Sequence, residues 1–269
     1  MVELAELFRR SGPAYRAPCA DRLPTSHLGA MAAIAPCRPE ALGGPVSPCT
    51  ACGEREYSSH SCTHRHGPTC HNDATTPWVA PQRELLLPVP SCLVTLTLPE
   101  ARRPVARSHQ PRLSPLLLQT SAAALQALAL APTYRGGPVG MIGVLPPWTR
   151  AMASHPPIHA LVPGGALSPD GATWLTPRSA AWLVPVPVLS ALFRGTFQAA
   201  LTTTGLLPYV PPQVWHTGWM THGHAAGTGT AVLASCAPSR SRSAMTKNRL
   251  EQCEDGPVTV RVTARPRPA

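Results

Sequence analysis

Apolar residues recur along this chain in short, interrupted runs. Leu4, Leu7 and Phe8 share one face of a helix at the start, and Met31 to Ile34 adds a short helical turn after the break at Pro24 to Leu28. Ser91 to Leu98 alternates loosely and reads as a strand. Leu116 to Leu130 is the clearest helix, with Leu117, Leu118, Ala122, Leu125 and Ala129 at helical spacing. Val139 to Leu145 is the next strand. Ile158, Leu161 and Val162 form a short buried strand that ends at Pro163 to Gly165. Trp174 with Trp182 to Val186 suggests a hairpin-like pair. Leu189 to Leu201 gives a second helix, residues 213 to 250 hold a last one, and Thr259 to Val262 makes a final strand. Strands interleaved with helices predict an antiparallel α+β sandwich.

Composition narrows this picture. The chain has 269 residues, of which 43% are hydrophobic and only 13% charged. That charge is well below the roughly 25% of ordinary domains. With 34 prolines and 20 glycines, regular structure is poorly supplied, because proline removes donors and breaks helices and central strands. The net charge is +10 and Lys247 is the only lysine. An arginine-rich balance of this kind suits nucleic acid, although a GC-rich gene yields the same composition. The first ten residues are acidic then basic and amphipathic, unlike a signal peptide. The apolar window Ala180 to Phe193 is interrupted by Pro185 and Pro187 and is too short to span a bilayer. No membrane association and a cytoplasmic, reducing setting are therefore expected. There the nine cysteines more often serve metal than disulfides.

The cysteines cluster. Cys49-Thr50-Ala51-Cys52 is a C-x2-C pair followed by Gly53, with His66 and Cys70 downstream. This fits a structural zinc site, because a C-x2-C turn sets two thiolates on one tetrahedral ion and a second pair closes it. The expected ligands are Cys49, Cys52 and Cys70 with either Cys62 or His66. Cys37, His60, His64 and His71 are spare candidates.

The segment His155-Pro156-Pro157-Ile158-His159-Ala160-Leu161-Val162-Pro163-Gly164-Gly165-Ala166-Leu167-Ser168-Pro169-Asp170-Gly171 admits two readings. It is either a strand end with two exposed histidines or part of a metal site, imidazole being the commonest side-chain ligand. It resembles the His-Pro-His-x-His-x-x-Val-Pro-Gly-Gly-Gly-Leu-Ser-Pro-Asp-Gly segment of rolling-circle transposases of the insertion sequence 91 family, two-tyrosine, His-hydrophobic-His enzymes. The resemblance runs in register from about Val2 to Val262. It takes in Phe8-Arg9-Arg10, Ala41-Leu42-Gly43-Gly44, Leu87-Pro88-Val89-Pro90, Leu192-Phe193-Arg194-Gly195 and Asn248-Arg249-Leu250.

The resemblance implies a zinc-binding segment followed by a ferredoxin-like antiparallel sheet with helices, here incomplete. It divides the chain into a helical entry (1–35), a zinc-binding segment (36–76), a nuclease-like core (77–262) and a disordered tail (263–269). It implies single-stranded DNA as partner, and a tyrosine that attacks a phosphodiester polarised by Mg or Mn on the His-x-His pair.

The departures are specific. Pro157 stands at the first histidine of the pair, leaving His159. His155 lies four residues from His159, about 13 Å along an extended strand and too far to share its ion. Ser235 and Ser239 stand where the resembled family carries its two tyrosines, and Gly67 stands at a probable zinc ligand. Family members also continue past this chain's last residue. The expectation is a transposase-like DNA-binding protein, nucleoid-associated when DNA-bound, that has lost catalysis. The alternatives are a non-catalytic zinc- and nucleic-acid-binding remnant and a non-functional relic reading frame.

Overall fold

The first helix, α1 (Leu4–Arg16), buries Leu4 and Ala5 on one side. In this computed structural model the described residues are 3–19, 21–38, 42–64, 66–67, 70, 75–99, 109–146, 157–176, 185–216, 219–241, 250–252 and 259–260. They fall into two units, one of residues 1–75, 150–152 and 241–269 and the other of 76–149 and 153–240. His155, the segment 177–184 with Trp182, and the tail 263–269 lie outside the described residues.

In the first unit, α1 packs against α2 (Thr25–Ile34). The helix α2 is longer than the turn expected at Met31 to Ile34, because Pro24 caps its start instead of breaking it. Leu4, Ala5, Ile34, Cys37, Cys70 and Leu250 make a small core. Arg9 donates from Nη1 to the carbonyl of Ala35 at 2.7 Å, which ties α1 to the end of α2. A hairpin follows, β1 (Val46–Pro48) with β2 (Arg55–Tyr57), in antiparallel register Val46↔Tyr57 and Pro48↔Arg55.

The second unit holds α3 (Thr75–Glu84), β3 (Ser91–Thr97), α4 (Gln110–Leu130), β4 (Ile142–Val144), β5 (Ile158–Pro163), β6 (Ala166–Leu167), β7 (Trp174–Leu175), α5 (Val186–Thr203), β8 (Met220–Ala225) and α6 (Thr230–Ser241). Four strands form one antiparallel sheet in the order β4-β5-β3-β8. Its elements run strand-helix-strand-strand-helix-strand, with α4 and α5 packed together. The expected α+β class with antiparallel sheets is present. Two short strands, β9 (Leu250–Gln252) and β10 (Thr259–Val260), pair antiparallel in the first unit.

Alternation in the sheet decides which residues form the core. Val94 and Leu96 of β3 and Ile158, Ala160 and Val162 of β5 point to one face. There they meet Leu117, Ala124, Leu125 and Leu128 of α4 and Leu189, Phe193, Phe197 and Leu201 of α5, the last four spaced in steps of four, about one helical turn each. Trp219 closes this core edge-on to Phe193, ring centres 5.3 Å apart. Gln126 ties α4 to the chain before β4, its amide exchanging two hydrogen bonds with the Val139 main chain. Helix α4 is long and apolar enough to cross a membrane, but half of it is buried within the unit, as a core helix would be.

Two expectations change. Val186 opens α5 and is no hairpin strand; the partner of Trp174–Leu175 is Ala166–Leu167. The stretch 213–250 contains the edge strand β8 as well as a helix. Thr75–Glu84 is helical despite Pro77 and Pro81.

Candidate functional site

Three thiols converge in the first unit. Cys37 follows the end of α2, where its N–H still bonds the Ile34 carbonyl at 2.9 Å. Cys62 and Cys70 come from the loop after β2. The Sγ atoms of Cys37 and Cys70 are 3.3 Å apart, and those of Cys62 and Cys70 3.6 Å. All three lie within 4.8 Å of one another and none is in a disulfide. A tetrahedral zinc with Zn–S of about 2.3 Å sets its sulfurs about 3.8 Å apart, so the observed 3.3 and 3.6 Å separations need to widen by only about 0.5 Å or less. Among the described residues this is the group of three or more metal-ligating side chains.

Gly67 lies beside two of these thiols. A Cβ built there lies 3.2 Å from the Cys62 sulfur and 3.6 Å from the Cys70 Cβ. The same Cβ meets the His64 carbonyl oxygen at 3.1 Å, and glycine itself brings no ligand.

The thiols differ in acidity. Burial pushes Cys37 up to about 12, reinforced by the neighbouring thiols. Burial also acts against ionisation of Cys70, but hydrogen bonds from Cys37, Cys62 and Ser61 outweigh it and hold that thiol below its ordinary value. Of Cys37 and Cys70, Cys70 is thus the first to become a thiolate, the form that ligates metal.

The structure places the other expected ligands elsewhere. Cys49 and Cys52 sit exposed at the tip of the β1–β2 hairpin, outside the three-thiol group. The turn is closed by Cys49 N–H to Glu54 O at 2.7 Å and Gly53 N–H to Cys49 O at 2.9 Å, with Gly53 at φ +72°. Backbone N–H groups of Cys52 and Ala51 lower the Cys49 thiol. The pair has the hydrogen bonding of a metal knuckle, but the hairpin's two strands carry it away from the cluster. His66 is also outside the cluster; its N–H bonds His64 Nδ1 at 3.3 Å. Cys37, a spare candidate in the sequence, is the residue that the spacing argument missed. It lies 25 residues before Cys62, beyond any local ligand pattern.

In the second unit, His159 lies on β5 on the sheet face opposite α4 and α5. Pro157 immediately precedes that strand. In register across the sheet, His159 is flanked by Val144 on β4 and Thr95 on β3. Helix α6 covers this face: Val232, Leu233 and Cys236 line a small cleft with His159, Leu161 and Leu93. Ser235, one of the two nucleophile-equivalent positions, is exposed and donates its hydroxyl to the Val232 carbonyl at 2.8 Å. Ser239 lies in the last turns of the same helix.

Comparison with known proteins agrees with a zinc-binding segment. Residues 7–98 match the transposase zinc-binding domain family, and residues 140–267 match the family described as "Putative transposase". The chain is 40% identical over 195 residues to the protein called "Putative transposase y4qJ" of Sinorhizobium fredii (strain NBRC 101917 / NGR234). That match takes in 72% of this chain and 48% of the relative, so the chain spans about half of the relative's length. No solved structure matches. The chain belongs to the insertion sequence 91 family of transposases.

Proposed function

We propose that this chain is a zinc-stapled DNA-binding member of its family that does not cut DNA. The observation that carries the reading is the state of β5: His159 is in place, but Pro157 precedes it and offers no imidazole. A strand brings positions i and i+2 to one face about 6.6 Å apart, so the paired ligand for Mg or Mn is missing where the family's pattern needs it. The nucleophile positions agree. Ser235 carries a short hydroxyl bonded into its own helix, and Ser239 is likewise a serine.

The sheet supports a ferredoxin-like core. Strand-helix-strand-strand-helix-strand with the order β4-β5-β3-β8 is the split βαβ arrangement. Zinc is assigned to Cys37, Cys62 and Cys70, with water as the fourth ligand. Zinc there would cross-link the end of α2 to the loop after β2, a structural role. Net charge +10, almost all of it arginine, supports electrostatic binding of single-stranded DNA in the cytoplasm, at the nucleoid when bound.

The test is incubation of the purified chain with labelled single-stranded oligonucleotides and Mg or Mn. The expected result is a salt-sensitive complex on native gels and no protein-linked DNA on denaturing gels. A covalent adduct would overturn the loss of catalysis, and no binding at low salt would overturn the DNA reading.

A further inference from the structure

Beyond β3, the same sheet face carries a second set of imidazoles. His222 and His224 stand on β8 two residues apart, with Thr95 and Leu93 as their register partners. Both are exposed. Their ring centres are 6.2 Å apart and the rings are tilted by 50°. Neither register partner carries a charge.

We propose that His222 and His224 form a two-imidazole chelate for a divalent transition metal of the zinc, nickel or copper kind. The argument is geometric. Alternate residues of a strand share a face, which is how two imidazoles come to one ion from a single extended segment. With Zn–N about 2.0–2.1 Å, a tetrahedral ion holds two ring centres about 5 Å apart. Closing from 6.2 Å requires only small χ rotations, which exposed side chains make freely. Imidazole selects borderline metals over magnesium or calcium, which prefer oxygen ligands. Two protein ligands leave the other positions of the ion open to water or to an anionic oxygen such as a phosphate. The site is separate from the three thiols and stands whether or not the chain binds DNA.

The experiment is a zinc titration of the whole chain followed by nitrogen-15 NMR of the imidazoles, with resonances assigned by His222→Gln and His224→Gln. The thiol group fills first. The expected result is that the His222 and His224 resonances then move together and saturate at one further zinc. Removing either histidine should weaken binding at the other about a hundredfold, because a tethered second ligand is lost. Two results would overturn the proposal. One is resonances from these two rings that stay still through the titration. The other is single variants in which the remaining ring binds as well as in the unaltered chain, which would make each histidine a separate weak ligand. Both substitutions lie on an exposed strand face, and the titration of the unaltered chain is decisive even if a variant folds poorly.

Discussion

The sulfur of Cys37 lies 3.3 Å from that of Cys70 across 33 residues of chain. Neither residue belongs to a C-x2-C pair with the other, so only the fold brings them together. Cys37→Ser, Cys62→Ser and Cys70→Ser are each expected to lower zinc content measured by metal analysis, whereas Cys49→Ser and Cys52→Ser leave it near the parent value. Loss of zinc from Cys49→Ser with retention in Cys37→Ser would reassign the site to the hairpin tip.

Gly67→Cys adds a fourth thiol beside the cluster. A Cβ there already stands at 3.2 Å from the Cys62 sulfur. A closed four-thiolate site is the structural type, so zinc affinity should rise by at least about tenfold, or 1.4 kcal/mol, in chelator competition. An unchanged affinity would show that position 67 does not face the ion.

Acidity gives opposite slopes with and without metal. In the metal-free chain Cys37 is raised from 9.0 to about 12. A group whose folded value is raised contributes stability that is complete below the unfolded value and is lost on the way up to the folded one. Metal-free protein should therefore lose stability between pH 9 and about 12, less so in Cys37→Ser. Zinc binding instead releases thiol protons, so its affinity rises with pH. Urea melts at several pH values, with and without zinc, separate the two.

Phe193 is 1% exposed and meets Trp219 edge-on. Phe193→Ala should cost about 3–5 kcal/mol, read as a lower urea midpoint for the second unit. Ser235→Ala, at an exposed position on α6, should stay within about 0.5 kcal/mol of the parent.

Restoring chemistry needs more than one change. Pro157→His alone, or Ser235→Tyr with Ser239→Tyr alone, should form no DNA adduct, because nucleophile and metal act as a unit. The triple replacement is the smallest set from which an adduct is expected on denaturing gels. An adduct from any partial set would show that another side chain supplies the missing part.

The fold was legible where apolar periodicity was long. Helix α4 and strands β3 and β5 lie where Leu117, Leu125, Val94 and Ile158 placed them, because each buries a regular face. Strand β8 escaped notice because Thr221-His222-Gly223-His224 has no apolar alternation; the strand is held by its pairing with β3 instead of by its own hydrophobicity. Proline misled at both ends of the scale. Pro24 and Pro185 stand at helix starts, where a missing N–H costs nothing, while the sequence reading treated them as breaks. In the candidate site, local spacing points to Cys70, and to Cys62 only as an alternative to His66. Cys37 was not legible, because its approach depends on α2 folding back through Arg9 and Ile34.

The central strand β3 finds both its neighbours late. Its partners β5 and β8 begin at Ile158 and Met220, so during synthesis Ser91–Thr97 leaves the ribosome with neither edge satisfied. At about 5–20 residues per second, the wait for β8 is on the order of 6–25 s. Until β5 emerges, Leu93, Val94 and Leu96 form an apolar strand with two open edges, and one edge stays open until β8 follows, the kind of segment that pairs with other chains. Yield of soluble protein should therefore depend on synthesis rate and chaperone supply more than on the final stability of the sheet.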